Sequence, residues 1–305
     1  MNSERYHEKE PGIEKAVEQG WRYLESEHQN GHFPSYISTS RDMIQPQIST
    51  REIFSTLVIT DTILKNKPYN ETTRAILQYI EQKKQQGQFT FFEDRSVYPP
   101  DTDANALGYS VLLEAGRVTE QDAHQVLNLI LNHRDENGLV QVWLSKDRPN
   151  RIDPVVGANA LYLATLLGRS SEIAQTEKWL IETLDSNSYL TGSRYYQSPD
   201  SFLYFMGRLI KFPELAEKMK AKLAIHTQQR IEKTEYPLDL AMRTALADTL
   251  GVSNELEKQK LLQLQEQGGS WPADSLFHYG NQQGYFGSKA MTTAFSIKAL
   301  ETAGF

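Results

Sequence analysis

Residues 267–271 read Gln267-Gly268-Gly269-Ser270-Trp271, a tight polar turn that ends on a large aromatic side chain. The same phrase, Gln or Asn, then Gly, then an apolar or aromatic residue, recurs as Gln29-Asn30-Gly31-His32-Phe33, Gln86-Gly87-Gln88-Phe89 and Asn137-Gly138-Leu139-Val140. A weaker copy is Asn187-Ser188-Tyr189. Amphipathic segments with apolar residues at helical spacing precede the phrases, as in Ile13 to Ser26, Thr72 to Lys84 and Asp122 to Asn132. A polar loop follows each phrase, and then a second, more apolar segment: Thr50 to Leu64, Asp101 to Ala115, Asp153 to Leu167, Asp200 to Ile210, Leu238 to Leu250 and Met291 to Ala303. Several of these stop at a glycine, Gly116, Gly168, Gly251 or Gly304, as helices often do. The pattern predicts six helix-turn-helix units of about fifty residues.

A helix pair cannot bury its apolar face alone, so the units must stack on one another. Six pairs that close on themselves make an all-α fold, an (α/α)6 barrel, with the more apolar helices inside. An open superhelix is the competing arrangement. Closure is expected because the last unit is no polar cap: it carries Gly268-Gly269-Ser270-Trp271 and the apolar run Met291 to Gly304. No Gly/Ser linker or charge run divides the chain, so residues 1–305 are expected to form one domain. Tyr98-Pro99-Pro100, Arg148-Pro149 and Ser40 to Gln47 suit loops that lead into inner helices.

Composition narrows the function. Hydrophobic residues at 39% and charged residues at 23% are ordinary for a globular protein. The formal net charge is −7 with the two signs interspersed, so no basic stripe offers a footprint for nucleic acid. No apolar run has the length of a transmembrane segment, and the opening stretch Met1 to Gly12 is too polar for a signal peptide, which makes a cytoplasmic protein the expectation. The absence of cysteine excludes disulfides, thiolate nucleophiles and cysteine-ligated metal sites. No phosphate-cradling Gly loop, paired-histidine metal motif or nucleophile elbow occurs.

If outer and inner helices alternate, every inner helix runs the same way and all their N-termini meet at one mouth. Asp101, Asp103, Asp153, Asp200 and Asp239 stand at or near those N-termini. Helix capping accounts for Asp153 and Asp200. It accounts for only one member of the close pair Asp101 and Asp103. The other is either a solvated neighbour or a carboxyl held in a cavity, where burial beside a second carboxylate would keep it protonated and able to act as an acid.

The turn phrase at 267–271 resembles the QW repeat of squalene-hopene and oxidosqualene cyclases, which protein prenyltransferase β subunits share in degenerate form. Asp101-Thr102-Asp103-Ala104-Asn105-Ala106-Leu107 resembles the D-x-D-D-T-A motif of class II terpene cyclases, with Ala104 in place of its second adjacent carboxylate and Asn105 in place of its Thr. The resemblance implies proton-initiated cyclisation of a linear isoprenoid, with Asp103 as general acid and Asp101 as its hydrogen-bonding partner. Such chemistry needs a dry cavity and aromatic faces for passing positive charge. It needs no cofactor, although Mg2+ would accompany a diphosphate substrate. Two related families are excluded by the missing cysteine: protein prenyltransferases, whose zinc site needs Asp, Cys and His, and lanthionine cyclases. Class II cyclases commonly place their cavity between two helical barrels, whereas this chain has length for one; a lone barrel must use its own centre, a dimer interface or a partner.

Further candidates flank the predicted mouth and inner face. Tyr98, Tyr109, Trp143, Tyr162, Tyr195, Tyr196, Phe202, Tyr204, Phe205, Trp271, Phe277, Tyr279, Tyr285 and Phe286 would suit a cavity lining or ordinary packing. Asn105 and Asn159 stand in matching Ala-Asn-Ala-Leu tetrapeptides, and each needs either a backbone partner or a ligand. Arg148, Arg151, Arg194 and Arg243 could hold a diphosphate or balance the Asp ring. His278 is a candidate base or a structural residue in the Gly- and aromatic-rich loop Phe277 to Ser288, which suits a flap or an irregular connection. Of these, Asn105, Tyr109, Asn159, Tyr162, Tyr204, Trp271, Tyr285 and Arg243 are the expected substrate-binding set, and no metal-binding set is expected. The expected partner is a small isoprenoid, with no nucleic acid and with oligomerisation left open. Two rival readings remain: a carbohydrate-active (α/α)6 enzyme with carboxylates across a polar groove, and a non-catalytic helical-repeat binding protein with a filled barrel.

Overall fold

The computed structural model describes residues 11–45, 48–64, 70–234, 236–279 and 284–301. The opening stretch to Glu10, the end of the Ser40 to Gln47 loop at 46–47, the tip of the late loop at 280–283, and Ala303 and Gly304 lie outside the described residues. Among those described, the helices are α1 (Pro11–Glu27), α2 (Phe54–Ile63), α3 (Glu71–Lys83), α4 (Thr102–Glu114), α5 (Glu120–Leu131), α6 (Pro154–Leu166), α7 (Ala174–Asp185), α8 (Pro199–Gly207), α9 (Pro213–Arg230), α10 (Pro237–Leu250), α11 (Glu255–Gln263) and α12 (Lys289–Glu301). Odd-numbered helices form the outer layer and even-numbered helices the inner ring.

The two layers differ for a reason visible in their residues. Helix α5 buries one stripe, Ala123, Val126, Leu127, Ile130 and Leu131, and leaves its other faces polar. Each such buried Leu or Ile contributes roughly 1.5–3 kcal/mol. Helix α6, by contrast, is buried on all sides from Val155 to Ala164. A helix that is apolar all round belongs inside. The start of α5 is set by Thr119 and Asp122, which satisfy each other's backbone N–H groups in a capping box.

The inner ring closes: α2, α4, α6, α8, α10 and α12 pack in that order, and α12 returns to α2 and α1. Across this seam the Trp21 indole N–H donates to Glu301 Oε1 at 2.9 Å and Gln265 Nε2 donates to the Ala16 carbonyl at 2.8 Å. The turn phrases lock the layers. The backbone N–H groups of Phe33, Phe89 and Trp271 donate to Thr56, Asn105 and Thr293, polar side chains of the following inner helix. Gly31 and Gly269 have positive φ of 88° and 87°, and each turns its Cα onto a backbone carbonyl of a neighbouring outer helix, Ala75 on α3 and Gln19 on α1. A side chain there would be strained by φ and blocked by backbone at once.

Two differences from the sequence expectation matter. The segment expected to be helical from Thr50 starts its helix only at Phe54; residues Ile48–Thr50 form a strand, and Glu52 accepts the Ser55 N–H at 2.9 Å where the helix begins. The described arms of the late loop pair as antiparallel strands. Strands β1 (Ser35–Ser38), β2 (Ile48–Thr50), β3 (Asp274–His278) and β4 (Tyr285–Ser288) make one antiparallel sheet in the order β2-β1-β4-β3. This small sheet bridges the loops before α2 and α12, at the mouth where the inner helices begin. Among the described residues no helix is long and apolar enough to cross a membrane.

Candidate active site

Helix α4 begins at a junction stitched to the loop before α6. Thr102 donates its N–H to the Val142 carbonyl at 2.7 Å and its hydroxyl to the Gln141 carbonyl at 2.6 Å, and Leu144 N–H donates to the Pro100 carbonyl. Asp101 is therefore extended (φ −125°, ψ 156°) and caps the helix, its Oδ1 accepting the Ala104 N–H at 2.7 Å. With the cap taken, Asp103 is free to turn inward. The same loop brings Trp143 alongside; Asn150 grips its backbone with Oδ1 on the N–H (2.9 Å) and Nδ2 on the carbonyl (2.7 Å).

Asp103 faces an apolar cavity of about 380 Å3. Phe54, Phe91, Phe277 and Phe286 pack together with centroids 5.1–6.1 Å apart along one wall. Tyr98, Trp143 and Tyr279 form a second aromatic wall, Tyr98 lying 5.1 Å from Trp143. Arg148, Arg151 and Arg194 stand at the lining as well. The Arg148 guanidinium lies over Trp143 at 4.8 Å, and Arg148 Nη1 and Arg151 Nε are buried without a hydrogen-bond partner among the described residues.

The Asp103 carboxyl, 8% exposed, is held at both oxygens. Oδ1 accepts from Asn159 Nδ2 at 2.7 Å, and Oδ2 accepts a short hydrogen bond from the Tyr196 hydroxyl. Burial pushes its pKa up to about 7; the Tyr196 and Asn159 hydrogen bonds oppose this, the charge of Asp153 adds to it, and Arg208 opposes it. Asp101 is also raised to about 7, first by burial, against the Ala104 N–H and with the charge of Asp103. Its Oδ2 is buried without a hydrogen-bond partner. A carboxyl with a pKa near 7 in an aromatic cavity is a proton donor at neutral pH.

The remaining sequence candidates are distributed as follows. Asn159 stands behind Asp103 rather than against a ligand. Asn105 belongs to the fold: its amide accepts from Phe89 N–H and donates to the Phe89 and Asp101 carbonyls. Tyr109 donates to the Gly87 carbonyl at 2.6 Å, and Trp271 is fully buried with its indole N–H on the Leu261 carbonyl. Tyr162 donates to Glu114 near the opposite ends of the inner helices, and Tyr204 packs on Phe205 and Phe295. Tyr285 stacks edge-on against His278, and His278 rather than Tyr285 is at the cavity wall. Arg243 balances carboxylates, with Asp200 at 2.9 Å and Glu257 at 2.7 Å. None of the eight expected substrate-binding residues, from Asn105 to Tyr285, belongs to the cavity lining.

Two capping expectations divide. Asp153 caps α6 by accepting the Val155 N–H. Asp200 does not cap α8; Ser198 does, and Asp200 instead pairs with Arg230 and Arg243. Asp101, expected as the hydrogen-bonding partner of Asp103, uses its Oδ1 to cap α4, while Asn159 and Tyr196 hold the two oxygens of the Asp103 carboxyl. The polar-groove expectation fails too: the two carboxylates at the cavity come from one helix start instead of facing each other. Phe54, Phe91, Arg208 and Asp61 escaped the sequence reading. Phe91 had a signal, two residues beyond the turn aromatic Phe89; Arg208 had one in its position directly after the apolar run Phe202 to Gly207.

Comparison with known proteins agrees with this geometry. Residues 17–166 match the family described as the sesquiterpene cyclase astC-like C-terminal domain. Drimenol cyclase drtB of Aspergillus calidoustus is 29% identical over 206 residues, which cover 67% of this chain and 38% of that protein, so the chain spans well under half the length of that relative. Type II terpene cyclase MstE from Scytonema superposes with a TM-score of 0.67 at 12% identity, over 95% of this chain and 97% of that one, and its fold has been solved with geranylgeranyl dihydroxybenzoate (substrate) in a variant. The ent-copalyl diphosphate synthase from Streptomyces platensis matches with a TM-score of 0.59 at 17% identity, over 82% of this chain and 50% of that one. Residues 17–166, just under half of the chain, are thus similar to the sesquiterpene cyclase astC-like C-terminal domain, and the closed ring of paired helices is a fold shared with solved type II terpene cyclases.

Proposed function

We propose that this chain cyclises a linear isoprenoid by protonation, with Asp103 as the general acid. The observation that carries the reading is a buried carboxyl, held at both oxygens and raised by burial to a pKa of about 7, at the wall of an aromatic cavity. The cavity volume falls in the usual span for small-molecule sites. In this mechanism the Asp103 O–H bond breaks, its electron pair staying on the carboxylate, as the proton forms a new C–H bond with the terminal alkene of the substrate. The alkene's π electrons supply that bond and leave a tertiary cation. The next alkene attacks it, closing a ring, and loss of a proton from carbon ends the sequence. Phe54, Phe91, Phe277 and Phe286 offer π faces to the passing cation and exclude water. Asp101 contributes by capping α4, which fixes the backbone from which Asp103 turns into the cavity.

Arg148, Arg151 and Arg194 give the site a cationic side. In this reading they take an anionic head group, and a prenyl diphosphate fits them through bidentate guanidinium contacts. Mg2+ would then arrive with the substrate; among the described residues no group of three or more His, Asp or Glu is arranged to hold a metal. The acid chemistry itself uses no cofactor. We place the protein in the cytoplasm, with residues 1–305 as one barrel domain and a small isoprenoid as its partner.

The test is incubation with prenyl diphosphates of graded length and with squalene-type hydrocarbons, products being read by mass spectrometry. Wild-type protein should yield cyclic products at a rate that falls as pH rises through about 7, because the donor is lost when Asp103 ionises. Asp103→Asn should lose at least about 10³-fold in rate while melting as wild type does. Full turnover in that variant would remove Asp103 from the chemistry.

A further inference from the structure

Behind the acid lies a charged pair that the proposed chemistry does not use. Arg208, in the 3-10 turn that continues α8 (Arg208–Lys211), is 4% exposed. Its Nη1 donates to Asn159 Oδ1 at 2.6 Å and its Nη2 donates to Asp61 Oδ1, near the end of α2, at 2.7 Å. The guanidinium plane rests 4.4 Å from the centre of the Tyr162 ring. Asn159 in turn donates to Asp103 at 2.7 Å. Four inner helices thus contribute one unbroken polar line: Asp61, Arg208, Asn159, Asp103.

An amide has one donor end and one acceptor end. With Oδ1 fixed by a cation, Nδ2 must point at Asp103, so the amide cannot flip and offer oxygen to the acid. We propose that Arg208 is the positioning residue of the acid, orienting Asn159 and bringing a positive charge toward Asp103, and that Asp61 sets how much of that charge the acid feels. Neither an amide nor a guanidinium passes protons readily, so the line orients and biases; it does not conduct. The other groups that face Asp103 are Tyr196, Asp101 and the more distant Asp153. Those that face Arg208, besides Asp61, are Tyr162, Tyr204 and Glu114. The inference rests on Asp103 being the acid, and its signs are opposite for the two partners. Loss of Arg208 removes a cation and raises the Asp103 pKa. Loss of the Asp61 charge leaves the cation less screened and lowers it.

The experiment compares Arg208→Met, Arg208→Lys and Asp61→Asn with wild type, all as full chains. The Asp103 titration is followed by carboxyl 13C NMR, assigned by the signal missing in Asp103→Asn, alongside the pH dependence of kcat. Arg208→Met should raise the midpoint by about one unit and lower kcat about 10- to 100-fold with little change in KM, Arg208→Lys should restore most of both, and Asp61→Asn should lower the midpoint by about half a unit. Because Arg208→Met removes a buried charge, Asp61→Asn carries the test if the former does not fold. Midpoints that stay at the wild-type value, or that move in the same direction in both variants, overturn the proposal. If no substrate is cyclised, opposite shifts in the titration still uphold the positioning role while the catalytic reading falls; if cyclisation proceeds and the midpoints are fixed, the positioning role alone falls.

Discussion

Asn105 and Asn159 occupy identical tetrapeptides, Ala-Asn-Ala-Leu at 104–107 and 158–161, on adjacent inner helices, and they do opposite jobs. Asn105 turns away from the cavity and holds the turn at Phe89 by two backbone hydrogen bonds, while its amide also donates to the Asp101 carbonyl. Asn159 turns toward the cavity and links Asp103 to Arg208. The difference is a matter of helical phase. Asn105 is the fourth residue after its cap, Asp101, and Asn159 the sixth after its cap, Asp153. Two residues rotate a side chain by about 200°, which is the opposite face. At the fourth position of α6 stands Gly157, whose missing Cβ would meet Thr176, Trp179 and Leu180 of the outer helix α7. There Thr176 itself accepts the Val140 N–H of the turn, so that unit needs no Asn at the outward position. Local sequence identity is therefore a poor guide to role unless it is counted from the cap.

That contrast can be broken by experiment. The largest effect should come from Asn159→Leu, which leaves both Asp103 and Arg208 short of a partner: kcat should fall about 100-fold, with the pH profile displaced, as steady-state kinetics with the accepted substrate would show. Next, Asn105→Leu should unpair the Phe89 N–H and two carbonyls and cost about 2–4 kcal/mol in urea unfolding, while kcat per folded molecule stays within about threefold. Equal losses of kcat in the two variants would erase the distinction between them. The smallest effect belongs to Tyr196→Phe, which removes the hydroxyl on Asp103 Oδ2 but leaves Asn159 in place. Because that hydrogen bond favours the ionised carboxylate, its loss should move the descending limb of the rate profile to higher pH, with kcat lowered by less than about tenfold. A limb moving to lower pH would show that Tyr196 stabilises the protonated form instead.

The parts of the fold that could be read in advance are those governed by local rules. The recurring turn phrases at Gly31, Gly87, Gly138 and Gly269 mark four of the six reversals from outer to inner helix, and the apolar character of Val155 to Ala164 against the striped α5 says which helix is inner. The sheet was not legible, because Ser35–Ser38 and Asp274–His278 lie more than two hundred residues apart and become neighbours only through Tyr285–Ser288 once the ring has closed. In the site, the pair Asp101 and Asp103 was visible, but which of the two caps α4 and which faces the cavity was decided by the strand-like bridge to Trp143, which fixes the backbone at Asp101.

What the amino-acid sequence determined by itself was the repeat, the number of helix pairs and the chemical type at one helix start, since turn glycines, helical periodicity and capping act over a few residues. What only the tertiary structure decided was which groups meet. Tyr196, Asn159, Arg208 and Asp61 come from the loop before α8, from α6, from the end of α8 and from α2, and none carries a mark of its role in its own neighbourhood. Ring closure removes water from between them, and in that dry interior a carboxyl keeps its proton and each remaining polar atom must find a partner.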